Sequence, residues 1–213
     1  RVLDGTAAEN ANVVASAARL VAALALGMST PAGDVDTAVD TIAAAAGPGG
    51  LYLANAGALA IGTVGPVTVQ AVGPDTAPVA VTGGSLSGAS TAGAGALVQT
   101  ASGTLTVGQA VTAAGSGDVL LEAVAGDVIL NAGVSSGTGH VTVLASGSVV
   151  QSAAGDITTL GGDVVVAAGS GSVAMWDGAI TQSGGGNIRY GAGVNVALGE
   201  LDARSGGPQS SWG

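Results

Sequence analysis

The sequence predicts an all-β chain wound as a parallel β-solenoid, and three observations predict it. First, glycines at positions 95, 117, 139, 162 and 186 recur at intervals of 22, 22, 23 and 24 residues. Each opens a phrase of one kind: GALVQTA, GDVLLEA, GHVTVLA, GDVVVAA and GNIRYGA. Two further short phrases complete each unit, such as GDVILNA and GVSSGT, so a unit of 22–24 residues holds about three short strands. Self-similarity at such a period is the signature of stacked coils. Second, apolar residues alternate within the phrases, as in a half-buried strand. Third, 39 glycines and 47% hydrophobic residues stand beside only 8% charged and 2% aromatic, with no phenylalanine. Small Ala and Val suit a thin core one side chain deep.

The elements follow in chain order as one continuous domain. Residues 1–48 read as irregular N-terminal coils. AAENANVVASAARLVAALAL and DTAVDTIAAAA are rich in alanine, a good helix former, yet ANVVAS and ARLVA also fit strands. Strands with a loop around Ser29–Asp36 agree with the rest of the chain; a short helix within 34–46 is the alternative. The stretch Val13–Met28 is the one segment resembling a membrane span. It is interrupted by Arg19 and falls short of the roughly 20 residues a span needs, so no membrane insertion is expected. No cationic leader of the secretory kind precedes it.

Residues 49–94 continue the coils less regularly. GGLYLANAGALAIG reads as two strands, and VTVQAV-GPDTAP-VAVTG as a hairpin over 67–81 that projects from the rod as an insertion. Residues 95–213 are the regular part. Alternation places Val119 and Leu121, Val141 and Val143, Val164 and Val166, then Ile188 and Tyr190 inward, with Leu120, Thr142, Val165 and Arg189 outward. That outward face is not strongly polar, which hints at a covered side. At the corners, glycine is expected to supply positive φ, and Asp118, Asp163 and Asn187 to bond their own backbone. His140 shares that corner.

Composition narrows the function. There is no cysteine, hence no disulfide and no thiolate chemistry. The net charge is −10, with Arg1, Arg19, Arg189 and Arg204 as the only cations, which excludes nucleic acid as a partner. Such acidity favours solubility, repulsion between rods, or attraction of divalent cations. Asp34, Asp36 and Asp40 in GDVDTAVD form the densest acid cluster and are the calcium candidates; a solvated loop is the structural alternative. The cluster lacks the spacing of an EF-hand, and the corner series Asp118, His140, Asp163, Asn187 is a second, weaker calcium candidate. No other cofactor is indicated. His140 has no partner His or Cys to make a metal or catalytic site. An enzyme on acidic polysaccharides would need paired, tuned carboxylates with cations near them, and the four arginines are scattered, so no catalytic residues are assigned. Tyr52 and Tyr190 are too sparse for a sugar platform, and Trp176 and Trp212 are expected to fill the rod's interior or a contact between modules.

Taken in order, ARLVA, VDTIAAAAGPGGLYL, GALAIGTVGPVTVQAV, GHVTVLASGSV, GGGNIRYGAG and VALGELDARSG run through nearly the whole chain. Together they resemble the repeat units of giant bacterial surface proteins, the adhesin-like family of very long β-strand-repeat proteins. The resemblance implies a right-handed β-solenoid shaft, secretion, and an extracellular or bacterial cell-surface location; it carries over no catalytic residue. LVAALALGM departs from it in being more apolar than a solvent-exposed repeat. RVLDG and QSSWG both look like the middle of a coil, and neither end carries the polar cap a free solenoid needs. The expectation is a structural module that stacks head to tail on itself or on neighbouring repeats, as a tandem repeat or filament subunit. The alternative is a binding module for a glycan or protein, using the hairpin or the outward faces.

Overall fold

The computed structural model describes residues 1–5, 10–30 and 33–206. These are strands and turns without a helix, wound into about eight parallel coils. The fifth coil shows the plan. Its strands Val119–Ala123, Val128–Leu130 and Val134–Ser136 each form one face. Each pairs in parallel with the same face of the next coil, Val119 beside Val141, Val128 beside Val149 and Val134 beside Ile157. Counting along the first face, coils 1 to 8 start at Val2, Leu26, Leu51, Leu97, Val119, Val141, Val164 and Ile188.

Alternation within each strand decides the core. Val119, Leu121 and Ala123 are buried while Leu120 and Glu122 between them are half-buried. Because the pairing is in register, like stacks on like, and one apolar column of buried residues runs from Ala18 to Val173. The expected inward pairs lie in it, although Ile188 and Tyr190 are only partly buried. Of the expected outward residues, Leu120, Thr142 and Val165 are half-buried and Arg189 is exposed.

The repeated glycines have a different cause from the one expected. Gly117, Gly139, Gly162 and Gly186 do not have positive φ. A Cβ on any of them would fall deep inside contact distance of the carbonyl oxygen of the glycine one coil earlier. The corner backbones stack on one another too closely for a side chain, and only glycine permits that approach.

Residues 35–46 are not the alternative helix. They form one strand, Val35–Ala46, which pairs with Val13–Ala22 on one side and with all three faces of coil 3 on the other. Two ladders and a buried face outweigh the modest helix preference of alanine. The buried set runs Val35, Thr37, Val39 and then Ile42, Ala44, Ala46, with Ala43 buried as well. The alternation therefore slips by one residue where the strand bends from its first face to its second, which blurs the pattern. The same pairing makes Val13–Ala22 a strand, so the membrane-like stretch runs along coil 1 and ends where Leu26 opens coil 2.

The hairpin is present. Thr68–Val72 and Pro78–Thr82 pair antiparallel, and Thr63–Val64 and Leu86–Ser87 pair at its base. Its tip is closed by Asp75, whose Oδ1 accepts the Ala77 N–H at 3.1 Å, with Thr76 at φ 64°.

Candidate functional site

Inside the stack each coil satisfies the backbone of its neighbours, as where Val119 N–H donates to the His140 carbonyl and Val141 N–H to that of Asp163. Among the described residues, the outer rows of N–H and C=O groups on the first and last coils have no such neighbour, and an edge of this kind is a template for another strand. The core is open there as well. Val2 is 42% exposed where Leu26 beneath it is 0%, and Val196 is 40% exposed where Val173 is 1%. Leu201 likewise stands exposed over the buried Thr181. Exposed Val14, Val21 and Leu24 enlarge the apolar rim at one end, and Val194 and Leu198 at the other.

The arginines are not scattered once the chain is wound. Arg1 and Arg19 lie on coil 1, and Arg189 and Arg204 on coil 8, while ten of the fourteen acids lie between with no cation among them. Arg204 forks onto Asp202, Nε to Oδ1 at 2.8 Å and Nη2 to Oδ2 at 2.7 Å, and these bonds hold the Asp202 carboxyl down at about 2.

The corner series Asp118, His140, Asp163, Asn187 is brought together as a ladder, but its residues do not bond their own backbone. The His140 N–H donates to Asp118 Oδ1 at 2.8 Å, the Asp163 N–H to His140 Nδ1 at 2.9 Å, and the Asn187 N–H to Asp163 Oδ1 at 2.7 Å. Each side chain thus caps the N–H one coil later, because the corner glycines draw successive corners close. The hydrogen bonds from Asn187 hold the Asp163 carboxyl below its usual range. The other corners repeat the device: Asp127 accepts from Ser148 N–H at 2.7 Å and Asp156 from Ile180 N–H at 2.9 Å. These oxygens are occupied by the fold.

Of the calcium candidates, Asp34 and Asp36 come together and Asp40 does not. Asp34 and Asp36 lie near Asp4, and partial burial, then the neighbouring carboxylates, push both carboxyls up. Asp4 Oδ1 accepts from Asn12 Nδ2 at 2.8 Å, and Asn12 Oδ1 in turn caps the Asp36 N–H at 2.9 Å. Asp40 stands exposed further along the strand. Among the described residues no group of three or more His, Cys, Asp or Glu side chains is arranged to hold a metal ion.

Trp176 corrects the expectation that it fills the interior. Met175 takes the inward place at 7% exposure, and Trp176, one step on at the corner, is 59% exposed. Trp212 lies outside the described residues. Tyr190 was legible as an inward residue, but not its polar setting. Its hydroxyl lies 2.6 Å from Thr181 Oγ1 and donates to Gln151 Oε1 at 3.0 Å, while Gln151 Nε2 donates to the Ile180 carbonyl at 3.1 Å. This polar layer links the last three coils, and burial pushes the phenol up to about 12. Tyr52 lines a surface groove of about 240 Å³ with Met28, Thr30, Asp34 and Val98. No helix among the described residues is long and apolar enough to cross a membrane.

The arrangement offers two edge coils and a projecting hairpin, with the corner side chains between them committed to holding coils together. Comparison with protein-family models, curated proteins and solved structures finds no match for this chain.

Proposed function

We propose that the chain is a structural module of a bacterial extracellular shaft, extending it by stacking end to end as a tandem repeat or filament subunit. The observation that supports this reading is the pair of edge coils, whose outer strand rows are unpaired among the described residues. A parallel solenoid has two different edges, and the edge after the last coil is the complement of the edge before the first. Head-to-tail contact between such edges does not close on itself and so builds a filament. The extracellular, cell-surface setting rests on the resemblance to adhesin-like repeats. The role is mechanical: continuous parallel pairing along the axis, around a thin dry core.

Electron microscopy of the purified protein at high concentration tests the reading. At ~4.8 Å per coil, eight coils predict fibres with an axial repeat of roughly 40 Å. Monodisperse particles would overturn it. The hairpin favours a second reading, a protein- or glycan-binding arm, because Val69, Val72, Val79 and Val81 are all exposed on it. Fibres that form normally without the hairpin would assign it a task other than stacking.

A further inference from the structure

The register of the whole stack follows from its strand pairings, and it relates the two open ends residue by residue. Along the third face, each of the partners Leu20–Ala44, Ala44–Ala89, Ala89–Val111, Val111–Val134, Val134–Ile157, Ile157–Thr181 and Thr181–Leu201 is aligned. One column therefore begins at Leu20 and ends at Leu201. The column one residue earlier begins with Arg19 beside Ala43 and ends with Ile180 beside Glu200. On the second face, the column that begins at Ala17 ends at Ala197. On the first face, Val2 begins the column that Ile188 ends. A copy continuing this register would set Val2 on Ile188, Leu20 on Leu201 and Arg19 on Glu200.

We infer that a second copy of this chain can join the outer edge of coil 8 in register, so that its Arg19 pairs with Glu200. Charge selects that occupant. The middle coils carry only acids, so copies lying side by side repel, whereas each end balances its charges. Residues 1–22 hold Arg1 and Arg19 against Asp4 and Glu9, and residues 188–206 hold Arg189 and Arg204 against Glu200 and Asp202. Asp202 is already taken by Arg204, and Glu200 and Arg19 are both exposed at their edges. Slipping the joint by one residue would place Arg19 on Leu201 or Gly199, remove the apolar match and turn inward-facing side chains outward. The inference rests on the stacking reading above and adds to it the register and the pair that sets it.

The test is a charge exchange in the full chain. Light scattering at low salt would give the critical concentration for assembly of the native chain, of Arg19→Glu, of Glu200→Arg, and of the two combined. Each reversal is expected to raise it roughly tenfold by placing like charges at every joint, and the combination to return it to within about threefold of the native value. Reversals without effect, or a combination that does not restore assembly, would overturn the register while leaving stacking intact. A native chain that stays monodisperse would overturn the stacking reading and the joint together. A second measurement does not depend on charged variants folding well. The chain lacks cysteine, so Ala17→Cys with Ala197→Cys is expected to give an oxidised ladder of oligomers, since neighbouring parallel strands bring Cα atoms within disulfide range. Ala17→Cys with Glu200→Cys is expected to give none. The opposite outcome overturns the register.

Discussion

Coils 4 to 8 change face at glycine-led corners, whereas coil 2 carries all three faces on the single strand Val35–Ala46. The difference shows that bending the chain around the rod does not itself demand glycine. Coil 2 passes from Thr37 to Thr41 where coil 3 goes from Asn55 to Ala60, one residue more. At coil 3 the longer corner places Gly57 at φ 102°, and from coil 4 onward Gly103 and Gly126 lie against the corner one coil earlier, too close for a side chain. The extra residue also has a local cost. Val39 in coil 2 loses its backbone partner across the longer corner, and the buried Asn55 side chain replaces it. Asn55 Oδ1 accepts the Val39 N–H at 3.0 Å and Nδ2 donates to the Val39 carbonyl at 3.2 Å.

The largest way to break this contrast is at the glycine column. Gly139→Val is expected to cost at least about 3 kcal/mol in urea unfolding, because the backbone beneath it cannot move aside. Ala38→Val, at the corner of coil 2 that has no glycine, is expected to change stability by less than about 1 kcal/mol. A similar cost at both sites would refute the account of the glycines. Next comes the junction between the two kinds of coil. Asn55→Leu is expected to cost about 2 kcal/mol by leaving the Val39 N–H and carbonyl buried without partners. Asn55→Asp is expected to recover only the acceptor half.

The smallest effect sharpens the comparison through pH. Asp202 has its folded pKa lowered to about 2, so its contribution is present above about pH 4 and is lost as pH falls toward 2. Asp34 and Asp36 have raised pKa values, so the folded state holds their protons more tightly and coil 2 gains stability as pH falls through the carboxylate range. Hydrogen exchange between about pH 6 and about pH 3 is therefore expected to show protection rising in coil 2 and falling in coil 8. Parallel changes at the two ends would contradict these assignments.

Much of this architecture is legible in the amino-acid order because the solenoid repeats its local rules. The spacing of Gly117, Gly139 and Gly162 implies coils, and the alternation of Val141 and Val143 implies an inward face. The turn chemistry of Gly73–Ala77 implies the hairpin. What stays hidden depends on neighbours one coil away, about twenty residues along the chain. Nothing local tells that Gly139 is squeezed by Gly117, that Asp118 serves the N–H of His140, or that Asn55 repairs Val39. The slip in alternation near Asp40 masks a strand whose composition suits a helix. Trp176 follows the inward Met175, and only the fold shows that the next position turns outward. The relation of Arg19 to Glu200 is the most distant of all, being the sum of seven registers.

The side-chain caps have a sense of direction. From Asn12 capping Asp36 to Asp163 capping Asn187, the later residue brings the N–H and the earlier one supplies the acceptor. At these six sites a coil meets acceptors supplied by the coil before it, whereas Val39, Gly57 and Gly126 take theirs from Asn55, Ser102 and Ser146 of the coil that follows. The coils are therefore tied in both directions, with carboxylate, imidazole and amide acceptors reaching forward from the corners and the Asn55 amide and serine hydroxyls reaching back.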